Sequence, residues 1–216
     1  MTTHGTAKFL SKPACALGIS FFLLAGTLAA PPARAAEDAS AFVADLGRQA
    51  ITIMKDPAIS RAERQHRFAA LMEQDFDLPK ISQFVLGTYW QTTSAAERQE
   101  FTLAFGAYMT SVYSTRFAEY NAGSFKVTTQ QPTGEATTVV NSEITRVSTG
   151  EPIDLDWVVA KTQGSYKVID ITAGGMSLSR AQREEFSSVV HRNGDSVANL
   201  TQLLQLKSTE LAAATR

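Results

Sequence analysis

Residues 94–127 read SAAERQEFTLAFGAYMTSVYSTRFAEYNAGSFKV, and the spacing of apolar side chains changes partway along them. Ser94-Ala95-Ala96-Glu97 has the capping-box pattern that opens a helix. Phe101, Phe105, Tyr108 and Val112 then recur at steps of four and three, and Met109, Tyr113, Phe117 and Tyr120 make a second stripe of the same kind. The spacing predicts one long helix to about Tyr120. Beyond Asn121-Ala122-Gly123 the period becomes two, with Phe125 and Val127 starting a strand. A helix with two apolar stripes is either a central core helix or one wall of an apolar space.

Upstream the pattern stays helical. Phe42, Leu46, Ala50 and Ile53 form a stripe that ends at Asp56-Pro57. Ser60-Arg61-Ala62-Glu63 is a second capping box, followed by Phe68, Leu71 and Met72. A third helical stretch, Phe76 to Trp90, begins at Leu78-Pro79 and carries Ile81, Phe84 and Val85. Downstream, Thr137 to Val147 is rich in β-branched residues, and Ile153, Leu155, Trp157 and Val159 alternate with Asp154, Asp156 and Val158. Tyr166 to Thr172 follows. Pro132-Thr133-Gly134, Ser148-Thr149-Gly150 and Gln163-Gly164-Ser165 supply turns between these strands. Gly174-Gly175 is expected to end the sheet, with two helices after it, about 179–192 and 196–209. The predicted class is α+β: an antiparallel sheet of about four strands packed against N- and C-terminal helices.

The first 35 residues read as a secretory signal. Lys8 and Lys12 give a positive start, Ala16 to Leu28 is an apolar run, and Ala33-Arg34-Ala35 is a small-residue cleavage site. The run is shorter than the roughly 20 apolar residues that span a bilayer. Domain boundaries are therefore expected at 1–35 for the signal, 36–210 for one domain, and 211–216 for a frayed Ala-rich end. Cleavage after Ala35 removes Cys15, so the remaining chain has no thiol and must rely on a packed core in an oxidising compartment. It also removes Lys8, Lys12 and Arg34 and no acid, leaving 17 basic against 21 acidic residues. That balance gives no electrostatic reason to expect a nucleic-acid partner.

Catalytic signatures are sparse. His66 and His191 lie on predicted helices without metal-ligand spacing, so no metal site is expected. Asp154 and Asp156 share one strand face and can in principle act as an acid/base pair, or simply wet the outer side of a strand. There is no Gly-x-Ser-x-Gly elbow, Walker loop or Gly-x-Gly-x-x-Gly turn. The aromatics carry more information. Ten of the sixteen Phe, Tyr and Trp beyond residue 35 fall between Phe84 and Phe125. Bulky aromatics with Met commonly line apolar ligand pockets.

Several stretches together resemble one family. FDLPKI at 76–81, FVLGTYW at 84–90, ERQEF at 97–101 and YSTRFAEY at 113–120 are similar to the helical half of MlaC-type proteins. IDLDW at 153–157, YKVIDI at 166–171, GMSL at 175–178 and EFSSVVHRNG at 185–194 are similar to the second half. This is the ABC-transporter auxiliary or toluene-tolerance family, which includes the hopanoid-associated HpnM branch. Ile171-Thr172-Ala173-Gly174-Gly175 departs from relatives, which have an acidic or bulkier residue before the glycine. The resemblance implies a monomeric periplasmic carrier that shuttles phospholipid between an outer-membrane lipoprotein–porin complex and an inner-membrane ABC transporter with an MCE protein. It implies no cofactor beyond the cargo, whose acyl chains would lie in an apolar cavity between sheet and helices. On that reading the expected lipid-binding residues are Phe84, Tyr89, Phe105, Tyr108, Met109 and Val112 on the helices. Val139, Ile144, Leu155 and Trp157 join them from the sheet, and Met176, Leu178, Phe186 and Val190 from beyond it. Three functions remain open: a lipid carrier of phospholipid or a sterol-like hopanoid, a periplasmic enzyme using Asp154, Asp156 or Asp170, and an adaptor that carries no lipid.

Overall fold

Side chains that the sequence supplies set the helix starts. Asp38 accepts a hydrogen bond from Ser40 N at 3.2 Å and opens α1, Ala39–Lys55. Ser60 does the same from Glu63 N at 3.1 Å for α2, Arg61–Asp75, and Asp77 from Lys80 N at 3.1 Å for α3, Leu78–Leu86. The short α4, Tyr89–Thr92, precedes α5, Ala95–Arg116. Both halves of the α5 capping box form: Ser94 N donates to Glu97 Oε2 at 3.0 Å, and Glu97 N donates to Ser94 Oγ at 3.3 Å. These bonds satisfy N–H groups that have no partner within a helix. The computed structural model describes residues 38–116, 120–162 and 164–214, all within one compact unit, Ala35–Arg216. The proposed signal segment and Phe117 lie outside the described residues.

The sheet follows as β1 Tyr120–Pro132, β2 Thr137–Arg146, β3 Pro152–Thr162, β4 Ser165–Ala173 and β5 Met176–Ser177. Every neighbouring pair is antiparallel and the strands lie in sequence order, a plain meander. Two helices close the chain, α6 Leu178–Arg192 and α7 Val197–Ala214. Along β2, Val140, Ser142 and Ile144 are buried against the helices while Glu143 between them is exposed. The register carries that inward face across to Trp157, Leu155 and Ile153 on β3.

Four boundaries differ from those the sequence predicts. The stretch from Phe76 to Trp90 is broken rather than continuous, because Gly87 takes φ +57° and its N–H turns back to the carbonyls of Gln83 and Phe84. The long helix is described as far as Arg116, and Tyr120 with Asn121-Ala122-Gly123 belongs to β1 rather than to the helix and a break. Gly174-Gly175 does not end the sheet. With φ of +55° and +82° the two glycines make a tight hairpin turn, which pairs Ala173 with Met176 and adds a fifth strand. The last helix continues to Ala214, past the expected end at about residue 209.

Two packed cores result. One joins α3, α5, α6 and α7 through Ile81, Leu86, Phe101, Phe105, Phe186 and Leu200. In it Phe101 and Phe105 stack at 5.8 Å, and Phe186 meets both edge-on at 6.2 and 6.0 Å. The other holds α1 and α2 on the sheet through Val43, Leu46, Phe68, Met72, Val140 and Val168. Phe76 and Tyr113 touch both cores. Asp77 N donates to Val168 O at 2.9 Å, which ties the α2–α3 junction to β4.

Candidate functional site

Between the two cores lies a cavity of about 220 Å³. Its helical wall is Leu46, Ala50 and Ile51 of α1, Phe68, Leu71 and Met72 of α2, Phe76 after it, and Leu78 and Ile81 of α3. The long helix α5 adds Phe105, Met109, Tyr113 and Arg116, a single stripe at spacings of four, four and three. Phe125, Ile144, Leu155, Trp157, Ile171 and Ala173 form the sheet wall. Trp157 is held in place by Nε1–H donating to Ser142 Oγ at 2.9 Å, and its ring meets Phe125 edge-on at 6.2 Å. Among the described residues, charge enters the lining through Arg116 and Asp170 alone.

Six of the fourteen residues expected from the sequence line this cavity: Phe105, Met109, Ile144, Leu155, Trp157 and Leu178. Eight do not. Phe84 is 41% exposed, with the Arg183 guanidinium over its ring at 5.2 Å. Met176 is 63% exposed on the edge strand β5. Tyr89 donates its hydroxyl to Asp195 Oδ1 at 2.9 Å, a bond that raises its phenol pKa. Phe186 and Val190 are buried in the all-helical core, and Tyr108 packs beside them, its pKa raised chiefly by burial. Val112 is half-buried on α5 away from the cavity. Val139 stands one residue out of phase with Val140, Ser142 and Ile144, so it belongs to the opposite face of β2.

The two stripes of the long helix divide accordingly. Phe101, Phe105 and Tyr108 face the helical core, and Phe105, Met109, Tyr113 and Arg116 face the cavity. Sequence reasoning left out the cavity residues of α1 and α2 although their helical stripes were visible. Amphipathic spacing shows that a face is buried but not whether it meets protein or open space.

The acidic candidates are accounted for separately. Asp156 accepts from Asn141 Nδ2 at 2.6 Å on the outer face of the sheet, and Asp154 is exposed opposite Glu143. Asp170 accepts from Ser177 Oγ at 2.6 Å and from Ser179 N at 3.1 Å, so it caps α6. His191 and His66 are exposed, His191 with Asp195 at 3.4 Å. Among the described residues no group of His, Cys, Asp and Glu is arranged to hold a metal ion, and no helix is long and apolar enough to cross a membrane.

The fold and the cavity define the class, an α+β domain built around an apolar chamber. The MlaC protein family matches residues 45–206, and the chain belongs to that family. It is 23% identical over 113 residues to the intermembrane phospholipid transport system binding protein MlaC of Haemophilus influenzae, covering 51% of this chain and 53% of that protein. The chain thus spans about half the length of the curated relative it matches. In fold it is similar to a phospholipid-binding protein from Ralstonia solanacearum solved in complex with a phospholipid, at TM-score 0.68 and 24% identity. That likeness covers 81% of this chain and 99% of the other.

Proposed function

We propose that the protein is an exported lipid carrier that takes phospholipid acyl chains into the cavity between its helices and sheet and performs no covalent chemistry. The observation that carries this reading is the cavity wall, apolar over α1, α2 and α3, the centre of α5 and the four strands β1 to β4. At about 30 Å³ for a water-sized group, 220 Å³ encloses roughly seven methylenes. At about 0.8 kcal/mol per CH₂ these are worth roughly 6 kcal/mol, and a longer chain continues through the open mouth. Among the described residues Arg116 is the cation in the lining and would meet the phosphate. The names of the two relatives support phospholipid as cargo.

On the same reading residues 1–35 are the export signal and the working compartment is the periplasm. Lipid would pass between an outer-membrane lipoprotein–porin complex and an inner-membrane MCE protein with its ABC transporter. Transfer of labelled phospholipid between vesicles tests the proposal. The protein should accelerate exchange, and Met109→Glu, which puts a carboxylate into the cavity, should abolish it. A wild-type protein that accelerates nothing sinks the reading.

A further inference from the structure

Beside the cavity, between α1 and β1, lies a second space, a surface groove of about 280 Å³. Ala44, Arg48 and Thr52 bound it on the helix and Val127 on the strand. Ile51 and Phe125 belong to the lining of the groove and of the cavity alike, so among the described residues these two side chains are the partition. Phe125 is the larger part of it, and two features of the chain put its ring there. The first is Gly47: α1 carries no side chain at this point, and the ring occupies the place a Cβ would take. The second is an irregular stretch of β1. Between Asn121, paired with Thr145, and Lys126, paired with Glu143, the strand has four residues opposite Ile144 alone. Ser124 serves the ladder there through its side chain, with Oγ accepting from Thr145 N at 2.7 Å. Bulges of this kind re-aim a side chain, and Phe125 is the next residue. Its ring is thereby held between Gly47 and the edge-on Trp157.

We propose that Phe125 is the stop that sets the length of acyl chain this protein accepts: its ring ends the cavity against α1 and keeps the chain out of the groove beyond. The proposal rests on the carrier reading above and assigns that carrier a specificity-determining residue. A lipid leaving a bilayer for the cavity exchanges one apolar surrounding for another, so methylenes that fit inside cost little. Each methylene pushed back out through the mouth enters water, which disfavours uptake by about fourfold. A fixed wall at the far end therefore discriminates by length. With the ring removed, cavity and groove join across Gly47, and a longer chain runs on between Ala44 and Val127.

Competition between chain lengths tests the proposal. Delipidated protein is incubated with vesicles containing equal amounts of dipalmitoleoyl and dierucoyl phosphatidylcholine, which share a headgroup and differ in chain length, and bound lipid is quantified by mass spectrometry. The wild type should favour the shorter lipid by at least about tenfold, and Phe125→Ala should bring the ratio close to one. Phe125→Leu, which keeps more of the packing, should move the ratio part of the way, so the test survives if the alanine variant does not fold. Ala44→Trp fills the groove from the exposed side of α1. Added to Phe125→Ala it should restore the preference for the shorter lipid, and alone it should leave the wild-type ratio unchanged. Equal uptake of both lipids by the wild type overturns the proposal and leaves the carrier reading intact. So does a wild-type preference that survives in both Phe125 variants. A ratio that stays near one in the Phe125→Ala, Ala44→Trp double variant also overturns it, since the longer chain then does not use the groove. Wild-type protein that takes up neither lipid overturns the carrier reading, and the proposal with it.

Discussion

Gly47 is buried in α1, and the ring of Phe125 from β1 sits directly on it. A Cβ built at residue 47 would lie 2.2 Å from Phe125 Cε1, 2.6 Å from Cδ1 and 2.8 Å from Cζ. Carbon atoms in contact rest about 3.5–4.0 Å apart, so Gly47→Ala must drive the ring back by roughly 1.3 Å. Phe125 borders the cavity on one side and a surface groove with Ala44, Arg48 and Thr52 on the other, so the ring moves into one of them. Overpacking of this kind costs about 1–3 kcal/mol, and the better helix propensity of Ala returns about 0.8–1. The net expectation is a loss of about 1 kcal/mol, a fall in Tm of roughly 2–4 °C for a domain of this size. The assay is thermal unfolding followed by circular dichroism, for Gly47→Ala in the wild type and in a Phe125→Ala background. With the ring gone, the same substitution should stabilise by about 0.8–1 kcal/mol, giving a coupling of about 1–3 kcal/mol. Equal stabilisation in both backgrounds would refute the packing of Phe125 on α1. A normal amount of bound lipid in Gly47→Ala would show that the ring escapes into the groove rather than the cavity.

Trp157→Phe removes the bond to Ser142 Oγ and should cost about 1 kcal/mol or somewhat more in urea unfolding, because Ser142 is buried. Asp170→Asn should lower stability by about 1 kcal/mol through the α6 cap, and its lipid uptake should follow the loss of stability rather than vanish outright. Asp154→Asn and Asp156→Asn should leave vesicle-to-vesicle transfer within about twofold of wild type, since both sit on the outer face; loss of transfer in either would revive the enzymatic reading. Hydrogen bonds from Ser94 hold the Glu97 carboxyl below its ordinary pKa. A depressed folded-state value means the capping box contributes fully above the ordinary carboxylate range and is lost as pH falls through the lowered value. Glu97→Gln should therefore flatten the acid limb of a Tm-against-pH curve, and an unchanged limb would contradict the cap.

Much of the architecture is legible because its signals are local. Ser60, Asp77 and the Ser94–Glu97 pair act within three residues of the helix they start, and the alternation from Ile153 to Val159 needs only the two-residue period of a strand. The boundaries that differ depend on backbone geometry. Gly-Gly at 174–175 suits a chain end or a hairpin turn equally well until φ is known, and the structure makes it the turn that adds β5. The cavity is less legible for a different reason. Phe186 and Met109 look alike as apolar helical residues and both are buried in the all-helical core, yet Met109 also borders the cavity and Phe186 does not, and only the placement of α6 against α5 and α7 decides between them. Val139 is the exception, because its parity with Ile144 already places the two on opposite faces of β2. Arg116 and Gln182 carried no signal at all, since each looks like an ordinary surface polar residue until the helix beneath it is seen to border the chamber.

Native mass spectrometry of the protein purified without detergent tests the central claim most directly. A carrier that encloses acyl chains should emerge with lipid bound in a fixed ratio, and the lipid should leave when Met109→Glu places a charge in its path. Wild-type protein that flies at the mass of the bare polypeptide, and stays there after incubation with phospholipid vesicles, would contradict the account.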